Sequence, residues 1–187
     1  MRRIIASEGI TLDGYFADPQ GEIAWQALDD DFNAYSLEFL DSVDSLLFGH
    51  VTFELMKAWW PTPAGEAYNS ELAERMNSAT KLVVSSQTVD LSWINSHRLE
   101  GDLATAVSQL KSEQGGDIAI LGSGTLVAKL TDHGLIDEYR VILNPLILVG
   151  GTPLFRDVQK RRKLKLAGTR EFASGVVLLR YTLDPSA

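Results

Sequence analysis

The chain has 187 residues, with 17 Lys+Arg against 25 Asp+Glu and a formal net charge of −8. That size suits one domain, read here as residues 1–187 around a single core, and the acidic balance argues against a nucleic-acid binder or an anionic-membrane protein. There is no cysteine, which excludes thiol catalysis, disulfides and thiolate metal sites.

Arg3 to Ser7 reads as the first strand. The apolar run at the N-terminus is too short for a signal peptide, Glu8 interrupts it, and no stretch reaches membrane-span length, so a cytoplasmic location is expected. A long loop follows, with turn signals at Asp13-Gly14 and Pro19–Gly21. A glycine-bearing loop after a first strand is a natural border for an active site. Asp29, Asp30 and Asp31 precede Phe32, Tyr35, Phe39 and Leu40 at helical spacing, so one of the three is the N-cap and another is free to face a substrate.

Asp44–Gly49 is the next strand, running into a helix from His50 to Trp59. Glycine followed by Thr52 at such a junction offers N–H groups and a hydroxyl to an anion. A second short helix is expected to carry Tyr68, Leu72 and Met76 on one face. Thr80–Ser86 reads as a strand ending in two hydroxyls, Ser85 and Ser86, on the side where open α/β sheets bind ligands. Trp93–Leu99 is irregular or a short strand. Asp102 caps a helix with Leu103, Ala106, Val107 and Leu110 on its apolar face.

Ile118–Leu121 is a buried strand that enters the turn Gly122-Ser123-Gly124-Thr125 and a helix with the stripe Leu126, Val127, Leu130. Ser123 is positioned to cap that helix, and Gly134 to stop it. The glycine pattern is an incomplete nucleotide fingerprint, because Val127 stands at its last position. A plain strand-to-helix turn fits the same residues. Beyond Gly134 a strand from Ile136 is expected to pass through Pro145. Gly150–Phe155 reads as a loop. Lys163–Glu171 and Val176–Leu183 form a hairpin around Ala173–Gly175. The expected fold is α/β, with a mostly parallel central sheet, helices on its faces and an antiparallel C-terminal edge.

Three strand ends thus carry anion-friendly groups: Gly49–Thr52, Ser85-Ser86 and Gly122–Thr125. Together they suit a dinucleotide across the carboxyl edge of the sheet. There is no P-loop, no nucleophile elbow and no H-E-x-x-H. His50, His97 and His133 are scattered, so no metal site is expected. The one basic cluster, Lys160–Lys163 with Lys165, reads as a solvated turn.

Ile10–Ala17, Leu46–Glu54, Lys81–Ser86, Leu121–Leu126 and above all Gly134–Phe155 resemble the dihydrofolate-reductase-like superfamily. More narrowly, they resemble stand-alone homologues of the reductase domain of bifunctional riboflavin-biosynthesis enzymes. The resemblance implies a dihydrofolate-reductase-like three-layer α/β/α fold, NADPH as hydride donor, a small pterin- or pyrimidine-like substrate and often a homodimer. It places Gly49 and Thr52 at the pyrophosphate, Ser85 and Ser86 near the adenosine ribose and its 2′-phosphate, and Gly122, Ser123, Gly124, Thr125 and Leu126 around the pyrophosphate. It sets Asp13 and Gly14 beside the nicotinamide and substrate, and matches Asp30 by spacing to the acid of true dihydrofolate reductases. The position after Gly49, usually an arginine that contacts phosphate, is His50 here. Histidine is mostly neutral near pH 7 and lacks the bidentate fork, so NADH stays open as the donor. A chain of the same fold that binds nucleotide without turnover is the alternative reading.

Overall fold

The computed structural model describes residues 1–184. Its centre is an eight-stranded sheet in the order β5-β4-β3-β6-β1-β7-β10-β9. The strands are β1 (Ile4–Thr11), β3 (Val43–Gly49), β4 (Thr80–Val84), β5 (Ser96–Arg98), β6 (Asp117–Leu121), β7 (Glu138–Asn144), β9 (Leu164–Glu171) and β10 (Val177–Leu183). From β5 to β7 every pairing is parallel, and β10 and β9 close the edge antiparallel. This is the expected α/β class. A two-stranded ribbon, β2 (Tyr15–Ala17) with β8 (Thr152–Pro153), lies apart from the main sheet.

Helices cover both faces. Alternating side chains of the central strands divide the core into two layers, as a period of two requires. Ile5, Leu46 and Phe48 pack with Tyr35 and Phe39 of α1 (Asp30–Asp41), Phe53 of α2 (His50–Trp59), and Leu72 and Met76 of α4 (Ser70–Ser78). Ile4, Leu47, Ile118 and Ile120 pack on the other face with Val107 of α5 (Leu103–Ser112) and Val127 and Leu130 of α6 (Gly124–His133). Each such fully buried aliphatic or aromatic side chain contributes about 1.5–3 kcal/mol.

Three local readings are corrected. The second helix is two: α3 (Pro63–Tyr68) and α4 are separated by Asn69, whose side chain accepts from Leu72 N–H and starts a new helix. Tyr68 consequently ends α3 instead of sharing a helix with Leu72 and Met76, and is exposed, though all three line one cavity. β7 stops at Asn144 rather than passing through Pro145, because proline has no N–H for the ladder. Tyr15–Ala17 and Thr152–Pro153, read as loop, pair as a ribbon. Gly151, at φ +136°, approaches Ala17 so closely that a Cβ there would lie 2.1 Å from its carbonyl oxygen. Of the two alternatives for Trp93–Leu99, the short strand is the one found, as β5.

One buried cation is structural. Lys81 donates to the carbonyls of Met76, Asn77 and Ala79 at 2.7–2.9 Å, closing the end of α4. Burial lowers its pKa to about 8. Among the described residues no helix is long and apolar enough to cross a membrane.

Candidate active site

Because β3, β4, β6 and β1 are parallel neighbours, their carboxyl ends share one edge. The three predicted anion-friendly junctions meet there. Gly49 N–H donates to Ser123 Oγ at 3.0 Å, joining the β3–α2 and β6–α6 junctions. His50 Nδ1 lies 2.9 Å from Ser85 Oγ at the end of β4. Ser85 Oγ also lies 2.9 Å from the Gln87 carbonyl oxygen and accepts from Gln87 N–H.

The glycine turn is shaped for a close approach. Gly122 is left-handed at φ +63°, and a Cβ on it would stand 3.1 Å from the Thr52 methyl. A Cβ on Gly124 would stand 2.6 Å from the Phe16 ring. Ser123 also has φ +68° and makes no side-chain cap to α6. The expected capping role is therefore corrected: its hydroxyl turns back to Gly49. A non-glycine residue held in this region stores strain of order 1–3 kcal/mol, which is found where local geometry serves a function. Leu126 and Val127 donate their N–H groups to the Ser123 carbonyl. The N–H groups of Ser123, Gly124 and Thr125 have no partner among the described residues. Three successive unpaired donors at the start of a ten-residue helix make an anion cradle. α2, starting next door at His50, also has no side-chain cap. Of the remaining predicted residues, Ser86 and the Thr125 side chain are exposed, and the Leu126 side chain belongs to the core.

Beside this cradle lies a cavity of about 150 Å³. Its floor includes Ser7 and Leu121, paired across β1 and β6, one residue before Gly122. Its walls come from α1 (Phe32, Asn33, Ser36, Phe39), from Met56 and Trp60, and from the α3–α4 region. No Asp, Glu, Lys, Arg or His lines it. A second cavity, about 250 Å³, opens beside Lys160, Arg161 and Arg162. Arg162 there donates to the Thr131 and Asp132 carbonyls at the end of α6, so part of the basic cluster is a helix cap.

Neither predicted catalytic carboxylate lines the first cavity. Asp13 accepts from the Thr11 hydroxyl at 2.6 Å and from Leu148 and Val149 N–H at 2.9–3.2 Å, clasping two loops. The Thr11 hydroxyl above all holds its pKa below the usual carboxylate range, so it is ionised at neutral pH and unsuited to donate a proton. Gly14 lies in the same clasped loop at φ +86°. Asp29 is the N-cap, accepting from Phe32 N–H at 2.7 Å. Asp30 and Asp31 point to solvent in the first turn of α1. Asn33, one turn further, occupies the wall.

Arg98 escaped the sequence reading. It donates from Nη2 to the Ser85 carbonyl at 3.0 Å, and its Nε is buried with no hydrogen-bond acceptor, though Glu100 lies 3.4 Å away. Only the β4–β5 pairing brings it to this edge. Glu8 was read as an interruption of the first strand's apolar run. It is 2 % exposed, its Oε1 has no partner, and burial raises its pKa well above the usual carboxylate value.

A family model described as the RibD C-terminal domain matches residues 2–178. The uncharacterized protein YyaP of Bacillus subtilis is 34% identical over 184 residues, 96% of this chain and 94% of that protein. A solved diaminohydroxyphosphoribosylaminopyrimidine deaminase/5-amino-6-(5-phosphoribosylamino)uracil reductase from Thermotoga maritima superposes with TM-score 0.69 at 16% identity, over 98% of this chain and 57% of that one. The dihydrofolate reductase of Enterococcus faecalis, complexed with NADP(H), gives TM-score 0.65 at 14% identity over 97% and 96%. At such identities the structural likenesses speak for the fold: a dihydrofolate-reductase-like one.

Proposed function

The chain belongs to the RibD C-terminal domain family, and from that premise we propose that it is a reductase. It would use NADPH to deliver a hydride to a C=N or C=O carbon of a small, pterin- or pyrimidine-like molecule. The observation that carries this reading is the cradle of unpaired N–H groups at Ser123–Thr125, tied to the α2 junction through Gly49 and opening beside a cavity. The residues fit a dinucleotide. Gly122 and Gly124 let the turn pack closely against Thr52 and Phe16, where a Cβ would intrude, and two adjacent helix N-termini favour a pyrophosphate.

In this reading Ser123, Gly124 and Thr125 would hold the pyrophosphate with Gly49 and Thr52 alongside. His50, Ser85 and Arg98 would meet the adenosine ribose and its 2′-phosphate. Arg98 supplies the guanidinium that the position after Gly49 lacks. When bound, the reduced nicotinamide supplies a hydride at C4. The chain's task is then positional: hold the substrate carbon near that atom and exclude bulk water. The substrate heteroatom takes its proton from water at the cavity mouth, because no carboxylic acid lines the cavity and Asp13 is clasped elsewhere. That same lack of an acid favours the second reading, nucleotide binding without turnover. Loss of reduced-nicotinamide absorbance with a panel of carbonyl and imine substrates tests the choice. Tight NADPH binding with no oxidation across the panel would favour the second reading.

A further inference from the structure

The cavity's lining says what its occupant carries. We infer that the part of the substrate seated in this cavity is an uncharged single ring whose polar edge is a hydrogen-bond acceptor facing Asn33, with no phosphate on that part. This deepens the reductase reading and rests on it.

The first ground is charge. Phe32, Phe39, Met56, Trp60 and Leu121 dominate the lining, and the non-aromatic polar groups are Ser7, Asn33 and Ser36. A phosphate or carboxylate buried among these would lose its hydration with no cation to replace it. An amidine or guanidine edge would equally lack a carboxylate. The nearest basic group behind the wall is committed: Arg140 stacks 4.1 Å over the Phe39 ring, donates to Glu138 at 2.8 Å and to Tyr35 Oη at 3.2 Å. Lys57, on α2, is paired with Glu54 and Asp90.

The second ground is size. About 150 Å³ is the volume that takes one benzene-sized ring, and because the cavity opens to solvent any larger substituent would lie outside it. The third is orientation. Tyr68 Oη donates to Asn33 Oδ1 at 3.1 Å, which occupies the amide oxygen. Asn33 Nδ2 has no partner among the described residues, so the amide offers donors to a ligand. The Ser36 hydroxyl gives its proton to the Phe32 carbonyl, leaving the Asn33 amide and the Ser7 hydroxyl as the donors among the lining residues.

The test is ligand-observed NMR titration of the full chain with benzaldehyde, toluene, para-carboxybenzaldehyde, phenyl phosphate and benzamidine, beside an NADPH titration. Benzaldehyde should bind at least tenfold tighter than either anion. Asn33→Leu should weaken benzaldehyde about tenfold and leave toluene unchanged. Asn33→Asp should tighten benzamidine at least tenfold, a gain that a misfolded variant cannot show. Phenyl phosphate or para-carboxybenzaldehyde binding as tightly as benzaldehyde would overturn the inference, as would benzaldehyde indifferent to Asn33→Leu. If the charge preference fails while NADPH binds, the reductase reading stands without this substrate class. If NADPH fails while the charge preference holds, the cavity inference stands and the reductase reading falls.

Discussion

Gly122→Ala separates a glycine kept for its turn from one kept for a ligand. Its φ of +63° costs an L-residue about 1–2 kcal/mol. The new Cβ would also stand 3.1 Å from the Thr52 methyl, so that side chain must give by a few tenths of an ångström. At about 2–4 °C per kcal/mol for a chain of this size, the thermal midpoint should drop by roughly 2–8 °C. Strain present with and without ligand cancels from an affinity, so it leaves Kd unchanged. The methyl itself narrows the approach to the Ser123–Thr125 N–H groups, and that should raise the NADPH Kd at least tenfold, about 1.4 kcal/mol. Thr52→Ser in the same chain removes the crowding methyl and should recover the steric part of the stability loss but not the affinity. Calorimetric melting and fluorescence titration read the two quantities separately. A lowered midpoint with an unchanged NADPH Kd would refute the cradle: the turn would then only join strand to helix.

Arg98→Ala should weaken NADPH about tenfold and leave NADH nearly unchanged, measured by paired titrations, since a charge-assisted contact is lost only for the 2′-phosphate. Asp13→Asn should lower the melting temperature through the Leu148 and Val149 contacts while leaving the pH profile of any turnover unshifted; a displaced profile would restore Asp13 to the chemistry. Glu8 sets a pH dependence. Its folded pKa is raised by burial, so between the ordinary carboxylate value and that raised value the unfolded chain binds fewer protons. Stability is therefore fully present at low pH and falls as pH rises through this window. Glu8→Gln should remove that part of the slope, which begins above the ordinary carboxylate value, read by denaturant unfolding; an unaltered slope would mean that Glu8 is ionised in the fold.

The parallel sheet and its helices were legible because continuous apolar runs such as Ile118–Leu121 and the 3.6-residue stripes of α1 and α6 come from burial itself. Asp29, Asn69 and Gly134 act through local backbone chemistry, yet only Gly134 was read outright and Asp29 as one of three aspartates. At Asn69 the apolar period carried across the break and hid the cap. The meeting of Gly49, His50, Ser85 and Gly122 followed from topology, since strands in a parallel sheet present one edge. What escaped was non-local. Ser123 looks like a cap, but the neighbouring β3 offers its hydroxyl a better partner in Gly49 N–H. Asp13 looks like a catalytic acid beside a glycine, but the chain between Pro145 and Gly150 returns to take its carboxylate. Asn33 carries no motif at all; its place in the wall depends on how α1 is rotated over the sheet. Arg98 depends on β5 pairing with β4, a three-residue strand too short to announce itself.

The most direct test of the dinucleotide site is a titration of the purified chain with NADPH and with NADH, followed by nicotinamide fluorescence. The account predicts saturable binding of both, tighter for NADPH, and weakened for both by Gly122→Ala. Binding of neither by a folded chain would contradict it, leaving a dihydrofolate-reductase-like fold whose cradle serves some other anion.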